Sequence, residues 1–427
     1  VGSQVEFFPY VSDPMELADY LSDRALPQAD AALDAAGLTG AAPSGQKFHE
    51  LFPGCTPRDV QLVTEALEMP PGPSLVILEA QMGSGKTEAA LSLAERFLAR
   101  DDATRLFIGL PTQATANGML DRIDRVADRL FDGRVQLRLA HGQSRRHPAF
   151  QRLVEGKRLR ALEDADGDEA QVVCARWFLS RKRALLADIG VGTVDQAMQA
   201  AIRVKHHFVR TFALASSVVV VDEVHAYDAY MEVILERLTE WLGALGAPLI
   251  LLSATLPAER RHSLGEAYRR GAGWAALEIP VPMATAAYPL VTVVAQSGVS
   301  THALGEAPPS RELLVERLES SDPAAVVLPR LADAVARGAM VAWIRNTVGD
   351  AQEAYDRARE IGLSPTLFHA RFRPVDRARI EGDVLARCGP GGARLGALVI
   401  ATQVVEQSLD LDFDLLFSDL APIDLLL

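Results

Sequence analysis

The sequence predicts an α/β fold of two tandem parallel-sheet lobes with helices on both faces, and three observations carry that prediction. Short apolar runs at Leu75–Leu78, Arg105–Leu110, Val218–Val221 and Leu249–Leu252 alternate with helical patterns that begin at Lys86, at Asn117 and near Tyr230. A second set, at Met340–Ile344, Ala397–Ile400 and Leu415–Phe417, follows a stretch rich in Pro, Ser and Thr after Ile279. Apolar strands separated by helices form parallel sheets covered on both faces. The loops after the first four strands carry Gly85-Lys86-Thr87, Pro111-Thr112, Asp222-Glu223 and Ser253-Ala254-Thr255. Ligands collect at the carboxyl ends of parallel strands, so four polar motifs are expected along one edge.

The first strand leads into Ala80-Gln81-Met82-Gly83-Ser84-Gly85-Lys86-Thr87 and then a helix. Such a turn wraps a triphosphate with backbone N–H groups. Lys86 reaches the outer phosphates and the Thr87 hydroxyl holds Mg²⁺. Ala80 stands where the strict pattern has glycine, but Gly83 and Gly85 remain to let the backbone approach phosphate. The third strand ends in Asp222-Glu223-Val224-His225. Two carboxylates after a buried strand need a partner. Mg²⁺ suits Asp222, and Glu223 is then placed to orient and deprotonate water. Helix capping by Asp222 is the plainer alternative. Upstream, the amide of Gln61 can donate to and accept from an adenine edge, and Phe52 can stack on the ring. Gln61 taken alone reads equally as a helix-surface glutamine.

The 427-residue length predicts two or three domains. A net charge of −13 argues against nonspecific coating of nucleic acid, while leaving room for a local basic channel. No apolar run approaches the ~20 residues of a membrane span, and no secretory signal opens the chain. Cys55, Cys174 and Cys388 form no Cys-x-x-Cys pair, which favours a reducing cytoplasm. Nine histidines, none followed by Asp, reveal no metal-dependent nuclease centre. Arg145, Arg146, Arg152, Lys157, Arg158 and Arg160 lie beside an acidic patch at 163–169, so this insert reads either as part of a nucleic-acid channel or as a solvated surface.

Taken together these residues resemble a DExH-type superfamily 2 helicase, and more narrowly the helicase part of the signature helicase–nuclease of type I CRISPR–Cas interference. Residues 111–117 (Pro111, Thr112, Asn117) are similar to its first nucleic-acid motif. Arg181-Lys182-Arg183 leading into Val191-Gly192-Thr193 is similar to the second. The box extended through Tyr227-Asp228 resembles that family where generic helicases share only four positions. Ser253-Ala254-Thr255, with His225, resembles the element coupling hydrolysis to strand movement. In the second lobe Asn346-Thr347, Phe368-His369-Ala370-Arg371-Phe372 and Thr402-Gln403 fit the same family, with Asp410 closing a further motif.

The resemblance implies two RecA-like lobes, the second incomplete: 1–45 a connector from an upstream domain, 46–285 the first lobe with the ATP site, and 286–427 the second. Residues Phe52, Gln61, 81–87 and Asp410 are then expected to bind ATP. Thr87 and Asp222 hold Mg²⁺, and Lys86, Asp222 and Glu223 carry the chemistry. Pro111, Thr112, Asn117, Gly192, Thr193, Asn346, Thr347, Arg371, Thr402 and Gln403 are expected along single-stranded DNA. The implied partners are the RNA-guided CRISPR surveillance complex and a histidine–aspartate nuclease domain, fused upstream or separate, with 3′-to-5′ movement. Beginning at Val1 and stopping at Leu427, the chain is expected to be a fragment. The family's final arginine motif, a type of group contributing roughly 10³–10⁵ in rate, is expected to begin about where the chain stops. A DExH RNA helicase and a non-hydrolysing nucleotide-binding scaffold are the alternatives.

Overall fold

The computed structural model describes residues 14–35, 41–132, 135, 137–140, 184–202, 204–205, 207–275, 288–305, 314–320, 322–389, 392, 395–405 and 411–420. Two compact units divide the chain, 1–308 and 309–427.

In the first unit the strands are β1 (Ala42–Pro43), β2 (Leu75–Glu79), β3 (Arg105–Leu110), β4 (Phe131–Asp132), β5 (Leu137–Ala140), β6 (Ile189–Thr193), β7 (Ser217–Val221), β8 (Leu249–Ser253), β9 (Leu290–Ala295) and β10 (Gly298–Ala303). Eight of them form one sheet in the order β10-β9-β2-β8-β7-β3-β6-β5. From β2 to β5 all pairings are parallel, so the carboxyl ends share an edge. The pleat sends alternate residues to opposite faces. Val76 and Leu78 of β2, with Val218 and Val220 of β7, join one core with Ala90, Leu93 and Phe97 of the helix Lys86–Leu98. Leu75, Ile77, Val219 and Val221 join the other with Leu235, Leu238 and Leu242 of the helix Ala229–Leu245. Burial on both faces explains why these strands read as unbroken apolar runs.

β9 pairs antiparallel with β2, and β10 with β9. The expected lobe boundary at 285/286 therefore falls too early, because an apolar strand beyond it returns to the first sheet. The end of the expected connector also belongs to this unit. Ala42–Pro43 pairs with Phe131–Asp132. Gly45 donates its N–H to the buried Glu95 carboxylate on the phosphate-loop helix at 2.5 Å.

The second unit is a four-stranded parallel sheet of β11 (Met340–Ile344), β12 (Thr366–Phe368), β13 (Ala397–Ala401) and β14 (Leu415–Ser418), ordered β12-β13-β11-β14. Its faces are again apolar on both sides, Val341 and Ile400 in one cluster and Met340 and Val399 in the other. Among the described residues no helix is long and apolar enough to cross a membrane.

Candidate nucleotide site and strand-end motifs

The turn from β2 into the helix Lys86–Leu98 needs two left-handed residues, Gly83 (φ 73°) and Gly85 (φ 92°). At Gly85 a Cβ would stand 2.2 Å from the Gln61 side-chain nitrogen, so glycine is required by conformation and by space. Lys86 is buried and its ammonium donates to the carbonyls of Ala80 and Gln81, the latter at 3.4 Å. Burial lowers its pKa, against the opposing pull of Glu223 and then Asp222. The Ser84 hydroxyl oxygen is buried without a hydrogen-bond partner, a vacancy in bonding that a phosphate oxygen would satisfy.

Asp222 and Glu223 follow β7. The Asp222 N–H donates to Gly109 O at the end of β3, and Asp222 Oδ1 accepts from the Glu223 N–H, both at 2.9 Å. Glu223 adopts φ 55°, ψ 43°, a left-handed conformation that costs a non-glycine residue on the order of 1–2 kcal/mol. Burial raises the Glu223 carboxyl and the Lys86 charge opposes it. Burial, then the Glu223 charge, pushes Asp222 up to about 6, opposed by the Glu223 N–H bond, Lys86 and Arg122. Arg122 itself pairs with Glu88 at 2.5 Å.

His225 joins this edge to the next loop. The Ala254 N–H donates to His225 Nδ1 at 3.2 Å, so the ring proton sits on Nε2, 3.3 Å from Glu223 Oε2. That contact lacks hydrogen-bond geometry, and Glu223 Oε2 stays buried without a hydrogen-bond partner. Burial, then the Lys86 charge, lowers the His225 pKa, keeping the imidazole neutral near pH 7. The Ser253 hydroxyl donates to Thr255 O at 2.6 Å and closes the loop.

A divalent cation fits this donor set. Asp222 is held partly protonated near neutrality by its surroundings, and Glu223 Oε2 is an unsatisfied buried acceptor. Thr87, in the first turn of the helix Lys86–Leu98, and Asp222, directly after β7, would hold it.

The Asp222 pKa gives a pH prediction. A carboxyl with a higher pKa folded than unfolded binds protons more tightly in the native state. Its stabilisation is complete below the unfolded value of 3.8 and is lost as pH rises through about 6. In EDTA the full-length protein should lose stability on the order of 2–3 kcal/mol between about pH 4 and 7 from this group. Scanning fluorimetry of wild type and Asp222→Asn measures it; parallel pH profiles for the two proteins would refute the assignment.

The remaining expected residues divide. Gln61 is 5% exposed, its Oε1 accepting from the Arg58 N–H at 2.8 Å and its Nε2 donating to Gly85 O at 3.2 Å. The Nε2 end braces the phosphate loop, while the Oε1 end bonds the N–H that opens Gln61's own helix, Asp59–Ala66. Phe52 packs its ring on Phe48, centroids 5.0 Å apart. Gln81 and Met82 are exposed on the loop. Pro111 and Thr112 follow β3 as expected, but the Thr112 hydroxyl caps the helix Gln113–Asp124 by accepting from the Thr115 N–H. That cap starts the helix at Gln113, four residues before the expected Asn117. Gly192 and Thr193 end β6, and Thr193 is only 7% exposed. Thr402 is 5% exposed.

In the second unit Asn346, Thr347, Arg371, Thr402 and Gln403 share the carboxyl edge of the sheet. Gln403 donates to Asn346 Oδ1 at 3.4 Å, and Thr347 caps the helix Val348–Glu360. Arg371 is exposed. Asp410 and Arg181-Lys182-Arg183 lie outside the described residues, as does the arginine-rich insert. Sequence reasoning missed Arg58, whose guanidinium donates to Gly83 O beside Gln61. Its place within the Thr56–Gln61 run was the available signal.

Residues 337–427 match the family model for the CRISPR-associated nuclease/helicase Cas3, C-terminal. The CRISPR-associated endonuclease/helicase Cas3 of Thermus thermophilus is 39% identical over 487 residues, spanning 100% of this chain and 50% of that protein. The chain matches the helicase part of the Cas3 proteins. A T. fusca Cas3–AMPPNP crystal structure is similar with a TM-score of 0.79 at 34% identity, over 95% of this chain and 46% of that one. A chain of a CRISPR RNA-guided surveillance complex, pre-nicking, is similar at 0.66 and 32%, over 96% and 44%. The chain thus spans about half the length of the Cas3 relatives it matches, and the part it spans is the helicase part with RecA-like lobes. The Cas3-like extension of the acidic box is structural: the Tyr227 hydroxyl donates to Asp222 O at 2.9 Å, and Asp228 caps the helix Ala229–Leu245 through the Met231 N–H at 2.8 Å. Both fix the backbone that presents Asp222 and Glu223.

Proposed function

We propose that this chain is the ATP-driven motor of a type I CRISPR interference helicase, moving 3′ to 5′ on single-stranded DNA in the cytoplasm. The observation that carries the reading is the convergence of Lys86, Asp222, Glu223 and His225 along one sheet edge, with each charge answering another. Lys86 and the N–H groups of residues 83–87 bind the ATP phosphates. Thr87 and Asp222 would hold the Mg²⁺ that comes with the nucleotide and neutralises its phosphate charge. Glu223 orients the attacking water and takes its proton. His225 reports between Glu223 and the Ser253-Ala254-Thr255 loop. Asn346, Thr347, Arg371, Thr402 and Gln403, with Pro111, Thr112, Asn117, Gly192 and Thr193, lie along the DNA, contacting the backbone without reading sequence. Burial of Thr193 and Thr402 makes their backbone groups, rather than their hydroxyls, the contacting atoms. We assign 41–305 to the first lobe, and an RNA-guided surveillance complex and a nuclease domain as the chain's partners.

The test is the ATPase rate of the full-length protein with single-stranded DNA or RNA of equal length. The reading expects strong stimulation by DNA. Equal stimulation by RNA would favour a DExH RNA helicase, and no hydrolysis with either would favour a nucleotide-binding scaffold.

A further inference from the structure

Glu79 closes β2 and Arg261 lies in the first turn of the helix Ala258–Gly271. The two are 182 residues apart in sequence, and they are 1% and 5% exposed. Arg261 Nε donates to Glu79 Oε2 at 2.5 Å and Nη2 to Oε1 at 3.1 Å, a two-pronged pair. Removing two charges from water costs several kcal/mol per ion, and buried pairs of this kind are often replaceable by apolar residues without loss of stability. Stability alone therefore does not account for the pair.

Its position does. Glu79 is the register partner of Ser253, and the next residue, Ala80, donates its N–H to Ser253 O at 3.2 Å while its carbonyl accepts from Lys86. On the other side both members of the pair grip Leu256. Its carbonyl accepts from Arg261 Nη2 at 3.4 Å, and its backbone N–H favours the charged form of the Glu79 carboxylate. The segment from Ser253 to Leu256 is thus tied at both ends to the base of the phosphate loop. Between those ends Ala254 offers its N–H to His225, which faces Glu223.

We propose that Glu79 and Arg261 are positioning residues for ATP hydrolysis, holding the Ser253–Leu256 loop at a fixed height against the phosphate loop so that His225 and Glu223 stay aligned. This rests on the ATPase reading above. The pair touches no nucleotide, so its loss should alter turnover and leave binding alone. A misplacement of about 1 Å in a supporting element is enough to cost about 100-fold.

The experiment compares full-length wild type with the double variant Glu79→Leu/Arg261→Met, which keeps volume and removes both charges. The expected result is an unchanged melting transition, AMPPNP affinity within about threefold of wild type, and a DNA-stimulated kcat lower by about 10- to 100-fold. Arg261→Lys keeps the buried charge but gives up the second prong and the Leu256 contact. It should show the same split, and it supplies the readout if the double variant does not fold. Unchanged kcat, or kcat and affinity falling together with the melting point, overturns the inference while leaving the ATPase reading in place. A wild type that does not hydrolyse ATP overturns both.

Discussion

Glu223→Gln should abolish ATP hydrolysis and leave nucleotide binding intact. The side chain has nearly the same shape, so the strained turn at φ 55° and the box held by Tyr227 are retained. What disappears is the acceptor for the water proton, and a positioned general base contributes about 10²–10⁴ in rate. The charge balance predicts the binding result. Glu223 raises the Asp222 carboxyl by like-charge repulsion, so its neutralisation should let Asp222 ionise more readily and hold a cation at least as well. Single-turnover hydrolysis alongside titration with a fluorescent ATP analogue separates the two quantities. Hydrolysis at the wild-type rate in this variant would remove Glu223 from the chemistry.

Lys86→Ala should do the reverse and weaken binding first. Lys86 is the buried cation facing both carboxylates, and in this structure its ammonium rests on the loop carbonyls of Ala80 and Gln81. A charge-assisted hydrogen bond is worth about 1.5–3 kcal/mol, so affinity should fall by about 10- to 100-fold. The loss should carry a second signature. Without the lysine the Glu223 carboxyl has no opposing charge and rises further, so metal-free stability should drop most at higher pH. Calorimetric titration of ATP with Mg²⁺ checks the first, and thermal unfolding in EDTA at two pH values checks the second. Retained affinity would place phosphate binding elsewhere.

Much of the site was legible because its chemistry is local. A phosphate loop works through consecutive backbone groups, so Gly83, Gly85, Lys86 and Thr87 must be neighbours in sequence. The acidic box likewise needs its residues at one strand end. The unbroken apolar runs revealed the parallel strands, and seven of them were placed within about one residue; for all but the half-exposed edge strand β14, burial on both faces leaves the mark. Tyr227 and Asp228 were legible as a family extension, though their work in bonding Asp222 O and capping a helix was not.

The tertiary structure decided what depends on distant returns of the chain. β9 and β10 joined the first sheet because the edge of β2 offered an apolar partner, and composition alone read their approach as a linker. Gln61 turned inward because Gly85 lacks a side chain and leaves room for its amide. The Thr112 and Thr347 hydroxyls became helix caps, since the first N–H groups of a helix need acceptors that only the folded turn reveals. Glu79 and Arg261, 182 residues apart, met through the packing of one helix on one strand. The sequence by itself determined which chemistry this protein carries, because contiguous motifs encode it. Only the fold decided which residues hold that chemistry in place, because long-range burial selects them.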